Sequence, residues 1–345
     1  MADQQRSSRP RMERRTPVWD APDEIAELMG TTSGNELNGW GETDERPPTL
    51  VMWANPRDLA HGDVQRRMTV EFMEHEQLRT VLRADDRHTP ADVAAEVVDR
   101  SPDEWLAAVR EFATGPDGHE VELVGAARIE PNWWFEDREQ PWDTIVVLGL
   151  RMDHAELATA PEYTSAMEVH RQYNRGTAAA RALADWLRSQ GVDAVGHGGP
   201  GAGPIQMVPA AIAAGLGELG KHGSIINRKL GSSFRLAAVL TNLPVALTEP
   251  DTFGVDDFCL GCRVCTDACP PDAIAPEMRL VRGVTKWAVD FDRCLPYFAV
   301  SHGCGICIAV CPWSTPGEAP RLAQNMARKI ARRAARDEGS HDSLG

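Results

Sequence analysis

The sequence predicts a mixed α+β or α/β domain followed by a small cysteine-rich domain. Residues 144–150 form a run dominated by β-branched and aliphatic side chains, which is typical of a buried strand. Residues 178–189 strongly favour a helix that Gly191 ends, and residues 192–195 form the next strand candidate. Helices and strands that alternate in this way indicate a layered fold. All eight cysteines lie later, between residues 259 and 311, and indicate a separate C-terminal domain.

Composition limits the classes of protein to consider. The chain has 345 residues, 42% of them hydrophobic, which suits one large or two moderate domains with a buried core. The formal net charge of −15 argues against a general nucleic-acid-binding surface, so no DNA partner is expected. No stretch approaches the ~20 apolar residues of a membrane span, and no apolar signal segment follows the N-terminal arginines. We therefore expect a cytoplasmic protein, in which structural disulfides are disfavoured.

The cysteines form two groups with related spacing. The first is Cys-x2-Cys-x2-Cys-x3-Cys-Pro from Cys259 to Cys269, and the second is Cys-x9-Cys-x2-Cys-x3-Cys-Pro from Cys294 to Cys311. The first spacing is that of bacterial ferredoxins, in which the fourth cysteine of one motif ligates the other [4Fe–4S] cluster. The sequence therefore predicts two [4Fe–4S] clusters. One is held by Cys259, Cys262, Cys265 and Cys311, and the other by Cys269, Cys294, Cys304 and Cys307.

Two simpler uses of these cysteines explain less of the pattern. A zinc site needs only four thiolates, usually as two Cys-x2-Cys pairs, and leaves half of the pattern unexplained. Disulfides do not account for the ferredoxin spacing. The x9 gap after Cys294 departs from that spacing, so the assignment of Cys294 depends least on the motif.

Shifts in composition divide the chain into four predicted segments. Helix candidates occupy residues 56–83 and 101–112, the second with Ser101 as N-cap and Glu104 three residues later. Five glycines make residues 196–203 a loop against which another group packs closely. The segments are an extended or disordered N-terminal arm (1–50), an α/β domain (51–250), a double [4Fe–4S] ferredoxin-like domain (251–316) and a basic helix with a polar tail (317–345).

Gly215, Gly217 and Gly220 match the G-x-G-x-x-G pattern of dinucleotide-binding proteins. That pattern needs a preceding strand and an acidic residue ~20 residues later. Here residues 208–214 look helical, and residues 234–243 contain no Asp or Glu. We therefore expect these glycines to let backbone approach a large flat ligand or a neighbouring element.

Three segments in a fixed order carry a family resemblance. They are residues 213–223 (Ala-Ala-Gly-Leu-Gly-Glu-Leu-Gly-Lys-His-Gly), residues 231–244, which end in Thr-Asn-Leu-Pro, and Phe258 with the double cysteine pattern. In these the chain resembles the corrinoid-dependent reductive dehalogenases, over roughly residues 120–315. The related epoxyqueuosine reductases share the outline, but their Asp-Tyr-His stretch is absent here.

The resemblance implies an oxidoreductase that removes halide from a small organohalide, using two electrons and a proton. Its implied fold is a nitroreductase-like α/β domain that cradles a base-off cobalamin or related corrinoid, packed against the ferredoxin-like domain. The sequence has no flavin or nicotinamide module, so the electron donor is expected to be a separate ferredoxin or flavodoxin. The predicted cofactor-binding residues are Gly198, Gly199, Gly215, Gly217, Glu218, Gly220, His222 and Gly223.

The resemblance also places a catalytic pair on this chain. Tyr173 matches the family's proton donor, and Lys221 matches its basic partner, because a phenol is a weak acid at neutral pH unless a cation stabilises the phenolate. The alternative is a half-buried tyrosine and an exposed lysine, with Tyr163 as the reserve candidate. Glu218 is expected to bond corrin amides or backbone, or else to be a surface or capping residue.

Several assignments stay open at this level. Trp133 and Trp134 either line a pocket or belong to the core. The helix at residues 321–336 is either a docking face for an acidic electron donor or a solvated end helix. The two alternative functions are tRNA modification of the epoxyqueuosine type and electron transfer by two clusters without further chemistry, which leaves some 200 upstream residues unexplained.

Overall fold

The computed structural model describes residues 17–52, 59–76, 88–199 and 203–341. In chain order the helices are α1 (Asp23–Ala26), α2 (Gly34–Leu37), α3 (Gly62–Glu74), α4 (Pro102–Thr114), α5 (His154–Leu157), α6 (Tyr163–Ser189), α7 (Met207–Ala213), α8 (Val255–Gly261), α9 (Val264–Ala268), α10 (Phe291–Val300), α11 (Ile306–Ala309) and α12 (Glu318–His341). The strands are β1 (Leu123–Arg128), β2 (Thr144–Arg151), β3 (Ala194–His197), β4 (Glu218–Leu219), β5 (Ile225–Ile226), β6 (Phe234–Thr241), β7 (Arg279–Val281) and β8 (Val284–Lys286).

A four-stranded antiparallel sheet, in the order β1-β2-β6-β3, forms the centre of the fold. Its inner strands are apolar on both faces because helices cover both. Leu148 and Val239 face α4 and α6, whereas Val147 and Leu240 face α7. The predicted strand at 144–150 is confirmed, and every residue of β2 except Arg151 is buried.

Local signals located α4 correctly. Ser101 accepts a hydrogen bond from the Glu104 backbone N–H, and the Glu104 carboxylate accepts one from the Ser101 N–H, which together form a capping box. Gly191 has a φ of 84° just beyond α6, as expected of a helix-ending glycine. Residues 208–214 are largely helical as predicted, because α7 covers most of them.

Two predicted elements differ in extent. Helix α6 begins at Tyr163, well before the predicted start at residue 178, because its first half buries polar side chains such as Glu168 and His170 that hide the apolar period. The strand predicted at 192–195 is β3, which takes Gly196 and His197 from the predicted glycine loop. Residues 200–202 of that loop lie outside the described residues.

Other predictions fall partly outside the described residues. The helix predicted at 56–83 appears as α3, while residues 53–58 and 77–87 are not described. The first 16 residues of the predicted arm are also outside, and residues 17–50 contain only two four-residue helices.

The N-terminal segment packs on the cysteine-rich part of the chain. Ser33 Oγ donates to Asp292 Oδ2 at 2.6 Å, and the Asn35 side-chain amide donates to Asp290 Oδ1 at 2.9 Å. The Asn35 side-chain oxygen, Oδ1, in turn accepts a hydrogen bond from the backbone N–H of Phe291, the first residue of α10. This segment therefore completes the start of a helix that carries Cys294.

Candidate functional site

All eight cysteines lie within the described residues, form no disulfides there, and are on or beside α8, α9, α10 and α11. Burial, together with the nearby thiols of Cys265, Cys259 and Cys262, raises the pKa of the Cys311 thiol to about 12. Cys311, the last cysteine of the second motif, is therefore grouped in space with three cysteines of the first motif.

The remaining four cysteines form a second group. Burial raises the pKa of the Cys304 thiol to about 11, with Cys269 adding to the rise. Burial also raises the pKa of Cys294, where Cys304 and Cys269 contribute. Cys307 is close to these three and also to Cys265, so the two groups are neighbours. Cys294 thus lies where the crossed assignment requires it, despite its unusual spacing.

The donor set fits iron–sulfur clusters. Within the described ranges, no three His, Cys, Asp or Glu side chains converge tightly enough to hold a single metal ion. A cubane of four irons keeps its thiolates further apart than one ion does, and eight clustered thiols without disulfides supply two sets of four.

Lys221 belongs to the first cysteine group. Its side chain is 2% exposed, and its Nζ donates to the Cys262 carbonyl at 2.8 Å while lying 4.9 Å from the centre of the Trp287 ring. Burial lowers the pKa of Lys221, and the thiols of Cys265, Cys259 and Cys262 act in the opposite direction. The alternative of an exposed lysine is wrong, and the Lys221 amine contacts the backbone of the first cysteine group.

Glu218 joins the glycine-rich hairpin to the cysteine-rich domain. Its Oε2 accepts hydrogen bonds from the backbone N–H groups of Phe253, Gly254 and Val255, at 2.7, 2.9 and 3.2 Å. These N–H groups lie at the start of α8, the helix that carries Cys259. The carboxylate therefore bonds backbone, as one of its predicted alternatives stated.

The glycines at 215–223 pack against other parts of this protein. Gly217 has a φ of 148°, and a Cβ there would overlap the Ile226 carbonyl; a Cβ at Gly215 would overlap the Glu249 carbonyl. Gly220 lies against the His222 ring, and a Cβ at Gly223 would lie 3.1 Å from Val289. The block follows helix α7 and opens a two-residue strand, so it lacks the arrangement of a dinucleotide site.

Tyr173 lies midway along α6 and is partly buried. A Cβ at Gly199 would overlap its ring, so only glycine lets the backbone of the loop after β3 approach this closely. The guanidinium of Arg235, from β6, lies 5.4 Å from the ring centre. Arg235 Nε is buried and lacks a hydrogen-bond partner among the described residues. The cation beside Tyr173 is therefore Arg235, which the sequence analysis missed.

Two buried imidazoles near the predicted cofactor site keep an unpartnered nitrogen among the described residues. Burial lowers the pKa of His222 to about 4, so its ring is neutral at pH 7. His222 Nδ1 accepts from the Ser224 N–H at 3.2 Å, which leaves Nε2 as the N–H donor without a partner. His197 Nε2, one residue before Gly198, is also buried without a partner. The unpartnered Nε2 donor of His222 favours a polar ligand beside that ring.

The other aromatic candidates belong to the core or lie beside the second cysteine group. Trp133 and Trp134 are 9% and 5% exposed and belong to the core beneath α7, so their core alternative is correct. Tyr163 stacks on His302 with ring centres 3.9 Å apart and on His75 at 4.3 Å. It therefore lies beside the second cysteine group, at the first residue of α6, whereas Tyr173 lies near the middle of that helix.

The fold and the two cysteine groups define an iron–sulfur protein, and residues 258–315 match the family described as 4Fe-4S dicluster domain. The tetrachloroethene reductive dehalogenase of Desulfitobacterium hafniense is 34% identical over 210 residues, which cover 57% of this chain and 37% of that protein. The epoxyqueuosine reductase of Leadbetterella byssophila is 34% identical over 119 residues, 30% of this chain and 35% of that protein. A solved variant of a catabolic reductive dehalogenase shares the fold, with a TM-score of 0.66 and 22% identity over 89% of this chain and 49% of that one.

These comparisons confirm the resemblance read from the sequence. The chain is related to the reductive dehalogenases and, over a shorter region, to the epoxyqueuosine reductases. It spans 37% of the length of the first of these relatives. Among the described residues, no helix is both long enough and apolar enough to cross a bilayer.

Proposed function

We propose that this chain is a corrinoid- and iron–sulfur-dependent reductase that removes halide from a small organohalide in the cytoplasm. The overall change is R–X + 2e⁻ + H⁺ → R–H + X⁻. The observation that carries the proposal is the packing of the Tyr173 ring against the Gly199 backbone, with the half-buried Arg235 guanidinium 5.4 Å from the ring centre. It places a tyrosine beside a cation, on the helix whose Val169 packs with Cys307.

The chain's own residues have separate tasks in this proposal. A bound corrinoid supplies a strong two-electron centre, which no amino-acid side chain provides. Tyr173 Oη holds the proton that the product carbon receives, and Arg235 stabilises the phenolate that remains. Gly198, Gly199 and the Nε2 donor of His222 would hold a base-off corrinoid in a nitroreductase-like domain. A solved reductive dehalogenase of the same fold, described as suggesting a mechanism for B12-dependent dehalogenation, supports this choice of cofactor.

The two cysteine groups hold two [4Fe–4S] clusters in the crossed arrangement. Cys259, Cys262, Cys265 and Cys311 form the first site, and the other four cysteines form the second. Lys221 acts at the first site, where its positive charge offsets the negative charge of four thiolates and the cluster. Electrons come from a separate ferredoxin or flavodoxin, and DNA is not a partner of this acidic chain.

The test is anaerobic reconstitution followed by assay. With iron, sulfide and hydroxocobalamin, each chain should take up about eight irons, about eight sulfides and about one corrinoid. The loaded protein should release halide from tetrachloroethene or a halogenated phenol in proportion to the dehalogenated product. Uptake of zinc in place of iron would refute the cluster assignment. Failure to bind cobalamin would leave electron transfer between the clusters as the remaining function.

Similarity to an epoxyqueuosine reductase favours one second candidate, reduction of epoxyqueuosine in tRNA. The net charge of −15 counts against it, because tRNA binding needs a basic surface. Incubating the reduced protein with epoxyqueuosine-containing tRNA separates the two functions. Queuosine formation without halide release from any organohalide would replace the proposed function.

A further inference from the structure

The solvent side of helix α12 carries a basic groove. Its lining residues in the described part of the chain are Asn325, Arg328, Lys329, Arg332 and Arg333. No acidic residue occurs between positions 321 and 336, in a chain whose formal net charge is −15. Such a concentration of positive charge on an acidic protein steers an acidic partner to one place on the surface.

The other side of α12 lies directly on the first cysteine group. Ala323 and Met326 pack in the same core as Cys259 and Cys311. A carrier seated in the groove is therefore separated from the first cluster site by the thickness of one helix, about 10 Å.

The groove is also tied to the helix that carries Cys259. Lys329 Nζ is 3.9 Å from Asp257 Oδ2, and Arg333 pairs with the same carboxylate. Asp257 lies in the first turn of α8, two residues before Cys259. Arg328 and Arg332, one helical turn apart and exposed, lie beside this pair.

The second cysteine group packs against α6, the helix that carries Tyr173. Cys307 packs with Leu157 and Val169, and Val169 is one helical turn before Tyr173 on α6. Cys307 is also near Cys265 of the first group. The order in space is therefore the groove, the first group, the second group and the helix that carries Tyr173.

We propose that the α12 groove docks an acidic one-electron carrier protein, which gives up one electron to the first cluster and leaves oxidised. Removing halide takes two electrons, so two such encounters occur for each product molecule. This inference rests on the proposed function for its physiological meaning. Its test needs only the clusters, so the two ideas can fail separately.

The experiment mixes cluster-loaded full-length protein with a reduced acidic bacterial ferredoxin and follows cluster absorbance by stopped flow. The variants are Arg328→Glu, Arg332→Glu and, as matched control, Arg110→Glu, an exposed residue of α4 in the sheet domain. Each variant changes the net charge by the same amount. Bleaching by excess dithionite checks that all variants hold the same amount of reducible cluster.

We expect the two groove variants to lower the second-order rate constant about tenfold at low ionic strength, and Arg110→Glu to leave it nearly unchanged. At 1 M salt, where the Debye length is about 3 Å, the difference should disappear. An equal decrease of the rate constant in all three variants, or no decrease in either groove variant, refutes the docking face.

A gel-shift titration with transcribed tRNA tests the other macromolecular partner. Groove-dependent tRNA binding with unchanged ferredoxin kinetics would assign the groove to RNA and refute the proposal. Salt-dependent reduction through the groove in a chain that binds no corrinoid would keep the docking face and remove the proposed function.

Discussion

Replacing Lys221 with Met should lower the reduction potential of one cluster and leave the other unchanged. The substitution keeps the length and apolar contact of the side chain, including its place against Trp287, and removes the buried charge. A positive charge beside a cluster stabilises the reduced, more negative form. Its loss therefore makes the first cluster harder to reduce.

The size of the shift follows from Coulomb's law. The Lys221 amine contacts the Cys262 carbonyl, which puts it roughly 6 Å from the cluster that Cys262 would ligate. At that distance a unit charge contributes about 0.7 kcal/mol in water and about 2.8 kcal/mol at an effective dielectric constant of about 20. For a one-electron couple these limits correspond to about 30 and about 120 mV.

The assay is an anaerobic redox titration followed by EPR of the loaded protein. Cys269→Ala, which removes a ligand of the second group, identifies which signal belongs to which cluster. Lys286→Met is the matched control, because Lys286 is a half-buried lysine whose pKa is lowered by burial and by Arg282, without a cysteine among its causes. A Lys221→Met protein with full iron content and unchanged potentials, or one whose second cluster shifts instead, would show that Lys221 does not act on the first cluster.

Three further substitutions test the remaining assignments. Tyr173→Phe should retain iron, sulfide and corrinoid but lower turnover about 10²- to 10⁴-fold, the usual contribution of a general acid; wild-type turnover would remove Tyr173 from the mechanism. Cys269→Ala should abolish the EPR signal of the cluster shared with Cys294, and loss of the Cys259 cluster instead would refute the crossing. Burial lowers the pKa of His170 from 6.5 to about 4, so between these pH values the unfolded chain binds a proton and the folded chain does not. The free energy of unfolding therefore falls as the pH drops from about 6.5 towards 4. Between pH 7.5 and 5.5, the free energy of unfolding of His170→Phe should therefore fall about 1.3 kcal/mol less than that of wild type in urea titrations. Equal decreases would contradict this cause.

The grouping of the cysteines that the sequence predicted depends on local spacing. Ligand intervals such as Cys259-x2-Cys262 are set within one turn of chain, and the structure gathers the cysteines into the two sets that the ferredoxin pattern implies. The capping box at Ser101 and the glycine at 191 are equally local, and they located the start of α4 and the end of α6. The cofactor contacts and the catalytic pair stay predictions.

The position of the Lys221 amine could not be predicted from the sequence, because a side chain's direction depends on distant packing. The hairpin of β4 and β5 turns its amine towards the Cys262 carbonyl, which is 41 residues away along the chain. Arg235 carried a usable signal, since it is the one charged residue in the apolar strand β6. A charge in such a strand needs a partner, and the partner is the Tyr173 ring.

The contacts of Ser33 and Asn35 with Asp290 and Asp292 have a consequence for biosynthesis. They join residues more than 250 positions apart, so these contacts can form only after almost the whole chain has left the ribosome. Helix α10, whose start this segment completes, also carries Cys294, so the segment can reach its final position only once that helix has formed. A protease that cuts the segment in freshly made protein should therefore lose access as α10 takes shape.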